Sequence, residues 1–242
     1  MKKIIIANWK MGLTFKETQF LLEKISTFEA YRHFLIVCPD FLNLAQATQI
    51  LKDTKIKTGG QNCSFHHHGA YTGEISALDI KAAGAEYVII GHSERRRIFK
   101  EDNSMINQKI KIALEAKLKP ILCLGESLLE RKTGRTRPVL SSQLKNALKG
   151  IKIRKASDLL LAYEPVWAIG SGQPMESEEA ERMHKYIAER AFALTGKRLA
   201  VIYGGSVKPD NAHDFIKQKN IAGLLVGGAS LQAKSLKRLL NI

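Results

Sequence analysis

Eight short runs of branched and aromatic apolar residues begin near Ile4, Phe34, Ile56, Tyr87, Pro120, Leu159, Leu199 and Leu224, recurring about every 31 residues, the length of a β-α unit. Each run is apolar without alternation, as a strand covered on both faces requires. Helical signals fill the intervals. Glu17, Phe20, Leu21, Lys24, Ile25 and Phe28 alternate faces in the manner of an amphipathic helix, and the segment from Ser76 to Ala83 ends on Gly84. A third segment opens on Glu176, Glu178, Glu179 and Glu181, whose charges complement a helix dipole. It continues through Met183, Ile187, Ala191 and Leu194 to Gly196.

No Pro/Gly/Ser-rich linker or shift of composition divides the 242 residues, so a single domain over 1–242 is expected. Eight consecutive units of this size fit a closed α/β (β/α)8 barrel, with an open doubly wound sheet as the alternative. A composition of 45% hydrophobic and 25% charged residues excludes disordered and collagen-like classes. No apolar stretch approaches the length of about 20 residues that a membrane span needs. The run Ile4 to Ala7 after Met1-Lys2-Lys3 is too short for the core of a signal peptide, so cytoplasmic residence is expected. Cys38, Cys63 and Cys123 are odd in number and lack a C-x-x-C pair, which argues for reduced, packed thiols rather than disulfides or a zinc site. The net charge of +15 is compatible with an enzyme for anionic substrates or with a nucleic-acid binder. It is spread along the chain without an aromatic-studded stripe, so no specific nucleic-acid partner is expected.

In a barrel of this kind the active site lies where strands end at the C-terminal face. Strand ends here carry unusual polar residues: Asn8-Trp9-Lys10, Gly91-His92-Ser93-Glu94, Glu164-Pro165, Gly204-Gly205-Ser206 and Gly227-Gly228. Glu164, held at the mouth by the fixed φ of Pro165, can serve as a proton acceptor, although a lone Glu there is equally a surface carboxylate. His92 precedes a helix-start pattern, and the positive end of a helix dipole disfavours imidazolium, so a neutral ring is expected. Lys10 at a buried strand end calls for an anion or a carboxylate nearby. The paired glycines after the seventh and eighth strands, with Gly170 after the sixth, offer backbone N–H groups to a phosphate, where each alone is only a tight turn. His66-His67-His68 is read as a solvated loop, because three adjacent residues cannot all face one ion. Cys123 is read as packed structure.

These motifs, together with Ala162-Tyr163-Glu164-Pro165-Val166-Trp167-Ala168-Ile169-Gly170, Gln61-Asn62, Gly69-Ala70-Tyr71-Thr72-Gly73-Glu74 and Val226-Gly227-Gly228-Ala229, resemble the triosephosphate isomerase family in order along the whole chain. The resemblance implies a glycolytic and gluconeogenic aldose-ketose isomerase that needs neither cofactor nor metal. It gives Glu164 the role of general base, His92 that of proton shuttle between oxygens, and Lys10 that of neutralising charge on a triose phosphate. Asn8 then positions the substrate, Gly170, Ser206, Gly227 and Gly228 hold its phosphate, and Glu94 is a nearby carboxylate. Pro165 to Gly172 becomes a lid that excludes water. Gly69 to Glu74 becomes the loop that enters a second subunit of a homodimer, bringing Thr72 near the partner's site. The chain departs from the family pattern at Gly12, where Asn is usual, at Ser171, where Thr is usual, and at Gln173-Pro174-Met175. Against the alternative of another phosphate-binding barrel enzyme, such as an aldolase, this chain offers no strand-end Lys in the middle of the barrel suited to a Schiff base, Lys10 being the only candidate.

Overall fold

The computed structural model describes residues 2–170 and 174–242. Its strands are β1 (Ile4–Asn8), β2 (Phe34–Cys38), β3 (Lys57–Gly60), β4 (Tyr87–Ile90), β5 (Lys119–Leu124), β6 (Leu160–Tyr163), β7 (Ala200–Tyr203) and β8 (Gly223–Val226). Every one starts within a residue of its apolar run. All neighbours pair in parallel, and β8 returns to β1 with Ile4 opposite Gly223 and Ala7 opposite Val226, so the sheet is a closed barrel rather than an open doubly wound one. Closure depends on a missing side chain. A Cβ on Gly223 would lie 1.9 Å from the Ile4 carbonyl oxygen, a contact that only glycine permits.

The helices are α1 (Phe15–Ser26), α2 (Phe41–Leu51), α3 (Ala77–Ala82), α4 (Ser93–Ile98), α5 (Asn103–Glu115), α6 (Leu128–Lys132), α7 (Thr136–Ala147), α8 (Ser177–Thr195), α9 (Ala212–Ile216) and α10 (Ala233–Leu240). α1 begins at a reciprocal cap in which the Thr14 hydroxyl accepts from the Glu17 N–H while Glu17 accepts from the Thr14 N–H. It buries Thr18, Leu21, Leu22 and Ile25. Phe20 instead faces solvent beneath the Lys24 ammonium, 4.1 Å from its ring centre, and Phe28 lies past the helix end. The alternation of faces was therefore right for Leu21 and Ile25 and wrong for Phe20, because an exposed aromatic can be covered by a neighbouring cation instead of the core. Ser76 caps α3, and Gly84 follows it in the left-handed region. α8 ends on Gly196 at φ 67°, but Leu194 is exposed.

Period-two alternation divides the strand residues between two cores. Ile6, Ile36, Cys38, Ile89, Ile121, Cys123, Leu160, Ala162, Ile202 and Leu225 point into the barrel. Ile5, Ala7, Leu35, Val37, Val88, Ile90, Leu161, Val201 and Leu224 point outward against the helices. Each fully buried aliphatic side chain contributes roughly 1.5–3 kcal/mol from removal of apolar surface from water. All three cysteines are buried and unpaired, and burial pushes the Cys63 thiol up to about 12. Among the described residues no helix is long and apolar enough to cross a membrane.

Candidate active site

The inward parity that fills the barrel continues past the strand ends and selects the residues at its mouth. On β1 the inward series Ile4, Ile6 reaches Asn8 and then Lys10. On β6 the series Leu160, Ala162 reaches Glu164, on β7 Ala200, Ile202 reaches Gly204, and on β8 Leu225 reaches Gly227. A cavity of about 750 Å³ opens above this layer and is lined by Asn8, Lys10, Glu94, Glu164, Gly170, Ser206, Gly227 and Gly228. Arg97 and Lys208 border it too.

Glu164 is 2% exposed, and both of its carboxylate oxygens are occupied. Oε1 lies 3.0 Å from His92 Nε2, and Oε2 accepts the Ser93 N–H at 2.9 Å. Opposite it, a Cβ on Gly204 would press the Glu164 Cγ at 3.0 Å, so glycine there leaves the carboxylate its room. Burial by itself would raise the Glu164 pKa. The His92 ring, the Ser93 N–H and the Lys10 ammonium outweigh burial and hold the carboxyl below its ordinary value of 4.5, so it is ionised at neutral pH.

His92 is the N-cap of α4, and its Nδ1 accepts the Glu94 N–H at 3.2 Å. That bond needs the Nδ1 lone pair, which puts the single ring proton on Nε2, facing Glu164. Burial lowers the His92 pKa, but the adjacent Glu164 carboxylate raises it further, leaving it above 6.5 in this arrangement. The neutral ring expected from the helix dipole alone thus depends on where Glu164 points. Once the carboxylate turns away, burial and Lys10 are the dominant influences and both favour the neutral imidazole.

Lys10 meets its carboxylate: its Nζ lies 2.5 Å from Glu94 Oε1. Its side chain is 34% exposed rather than fully buried, and its backbone adopts φ 53°, unusual for a non-glycine residue. Two side chains clamp that turn. Asn8 Oδ1 accepts the Lys10 N–H at 3.2 Å, and Gln61 Nε2 donates both to the Lys10 carbonyl at 2.9 Å and to the Cys38 carbonyl at 3.0 Å. Gln61 was visible only as part of a motif. No local pattern in the sequence announces that an amide after β3 will brace a turn after β1.

Ser206 donates its hydroxyl to the Ala168 carbonyl at 2.6 Å, tying the loop after β7 to the loop after β6. Gly170 has φ 69°, a conformation that favours glycine. Ser171, Gly172 and Gln173, three of the positions that depart from or complete the expected lid, lie outside the described residues. Met175 is buried and donates its N–H to the Tyr203 hydroxyl at 3.2 Å. Gly12 fits where a Cβ would stand 2.9 Å from the Trp9 carbonyl oxygen and 2.8 Å from Leu231. Cys123 is packed structure as expected, though it lies beside Glu164, and burial drives its thiol far upward. In the loop after β3, His66 stacks on Tyr71 with ring centres 3.7 Å apart, while His67 faces Glu115 at 3.1 Å.

An acidic side chain and an imidazole in contact, a cation opposite, and glycine backbone along the far wall bring a proton acceptor, a proton donor and a positive charge to one small cavity. Three comparisons agree on its relatives. The family model for triosephosphate isomerase matches residues 3–242. Triosephosphate isomerase from Dictyoglomus thermophilum is 44% identical over 240 residues, covering 97% of this chain and 96% of that one. The corresponding protein of Aquifex aeolicus is 43% identical over 247 residues, covering 99% and 98%. The crystal structure of triosephosphate isomerase from Bartonella henselae superposes with a TM-score of 0.87 at 35% identity, covering 99% of this chain and 98% of its own. With the fold, the order of its strand-end motifs and near-complete coverage all in agreement, the chain belongs to the triosephosphate isomerase family.

Proposed function

We infer that the protein interconverts dihydroxyacetone phosphate and D-glyceraldehyde 3-phosphate by proton transfer through an enediolate, a step of glycolysis and gluconeogenesis. The observation that carries this reading is the 3.0 Å contact between Glu164 and His92 Nε2 under a cavity walled by Lys10 and the glycine turns. Glu164, ionised but with both oxygens engaged, is a base held in reserve. It accepts a carbon-bound proton only after releasing His92 or Ser93, and substrate entry supplies the competing contacts. Release frees the His92 Nε2–H to donate to one substrate oxygen and then to return a proton between the two oxygens. Lys10 balances the negative charge that develops there, and it does so most strongly once water is excluded.

Asn8 keeps the Lys10 turn in place and faces the substrate, while Gly170, Ser206, Gly227 and Gly228 take the phosphate through backbone N–H groups and one hydroxyl. Purified protein given dihydroxyacetone phosphate alone should form glyceraldehyde 3-phosphate without added metal or nucleotide. Absence of turnover would overturn the assignment.

The working form in this reading is a homodimer in the cytoplasm. Gly69 to Glu74 is exposed throughout, and Met11 in the loop after β1, Leu42 in the first turn of α2 and Phe99 just past α4 are 96%, 85% and 60% exposed. Large apolar side chains left exposed on the segments that follow β1, β2 and β4 mark a surface that a second subunit covers. Three unpaired cysteines suit a reducing compartment. Light scattering at micromolar concentration should return twice the chain mass of 27.0 kDa. An active species of single-chain mass would contradict the dimer.

A further inference from the structure

The opposite end of the barrel holds a second cavity, of about 720 Å³, where the segments that lead into β1, β2 and β8 meet the last residue of the chain. Lys2, Lys3, Arg32, Lys217 and Lys219 line it, with His33 in its wall, and no Asp or Glu is among the lining residues. Asp214 reaches Lys217 at 2.8 Å from outside. Among the described residues no Asp or Glu side chain lies within ion-pair distance of Lys2, Lys3, Arg32 or Lys219.

Main-chain oxygens hold Lys3 and Arg32. Lys3 Nζ donates to the carbonyls of Gln218 at 2.9 Å and Ile221 at 2.5 Å, and Arg32 donates to the Ile242 carbonyl at 3.1 Å. His33 is buried, accepts the Lys3 N–H on Nδ1 and faces the Ile242 carbonyl with Nε2. Burial, with Arg32 and Lys3 adding to it, keeps that ring neutral. Carbonyl dipoles fix the Lys3 ammonium without cancelling its charge, while Ile242, as the last residue, presents a carboxylate oxygen to Arg32. Five cations against that carboxylate and Asp214 leave the hollow with an excess of positive charge, which an entering anion relieves. The hollow is concave and falls in the size range of small-molecule sites, whereas a duplex or an extended strand needs an open groove.

From this excess of cations around a small-molecule cavity with no acidic side chain in its lining, we propose that the amino end of the barrel is a binding site for a small ligand bearing a chain of linked phosphates, distinct from the isomerase site. Two ligands share that chemistry, free polyphosphate and a nucleoside triphosphate.

The test is calorimetric titration of the intact protein with inorganic tripolyphosphate and, separately, with metal-free ATP, in about 0.15 M salt, where diffuse surface attraction is screened beyond about 8 Å. Saturating glycerol 3-phosphate fills the isomerase site throughout. One tripolyphosphate per chain should bind, and the exposed double variant Arg32→Glu/Lys219→Glu should bind it at least about tenfold more weakly while kcat/KM stays near that of the wild type. Tighter binding of ATP than of tripolyphosphate identifies a nucleotide, and equal binding identifies the phosphate chain itself. Either outcome supports the site. The proposal falls if no saturable binding occurs, if glycerol 3-phosphate displaces the anion, or if the double variant binds unchanged. It also falls if a single-stranded oligonucleotide binds far more tightly than either probe, which would make this end a nucleic-acid surface.

Discussion

Replacing Glu164 by Gln should lower kcat by at least about 10³-fold and leave the affinity for a phosphate-ester inhibitor within a few-fold of wild type. The amide keeps an oxygen to accept the Ser93 N–H and fills the same buried space, so folding is not the variable. What disappears is the proton acceptor, and general base catalysis is worth roughly 10²–10⁴-fold, with the upper part of that range fitting a base that water cannot replace in a closed site. Steady-state kinetics and inhibitor titration on the same preparation separate the two quantities. Turnover near the wild-type value would remove Glu164 from the mechanism. The pH dependence follows the same residue. Its carboxyl sits below 4.5 in the free protein, so the basic form is present above that value and is lost only as pH falls through the depressed pKa. The part of the acid limb of kcat/KM that belongs to Glu164 therefore lies below the ordinary glutamate range.

Lys10→Met should reduce kcat/KM by about 10³-fold, through both kcat and KM, because the ammonium faces the anion in the bound state and the added charge in the transition state. Methionine replaces the apolar stem of the lysine without its ammonium and leaves the Asn8 and Gln61 clamps on the backbone intact. Glu94→Gln provides the internal comparison. It removes the ion pair with Lys10 but keeps the cation, so its effect on kcat/KM should be many times smaller. Equal losses in the two variants would mean that the ion pair, rather than the positive charge, is what the reaction requires.

The sequence carried the barrel because the relevant physics is periodic and local. Unbroken apolar runs fixed the strands to within a residue, their spacing fixed the β-α unit, and Ser76, Gly84 and Gly196 marked helix ends through backbone preferences that act over one turn. The same period of two leads from Ile4 and Ile6 to Asn8, and from Leu160 and Ala162 to Glu164, so the mouth residues were legible once the fold was in hand. Non-local contacts were not. Lys109, a charge on a helix that nothing local distinguishes, is 2% exposed, with its Nζ 2.8 Å from Asn62 Oδ1 and 2.5 Å from Glu101 Oε1. Arg95 pairs with the same carboxylate from α4. The clamp of Gln61 on Lys10, the covering of Phe20 by Lys24 and the basic hollow where Lys2, Arg32 and Lys219 meet are of the same kind. Each depends on groups brought together by barrel closure, and the energy of a buried charge or amide is set by the partner it finds there. Residue type and spacing along the chain determined what could be hydrophobic, helical or strained. Only the closed tertiary structure decided which polar groups would be desolvated together, and that decision holds Glu164 as a buried, ionised carboxylate between His92 and Ser93.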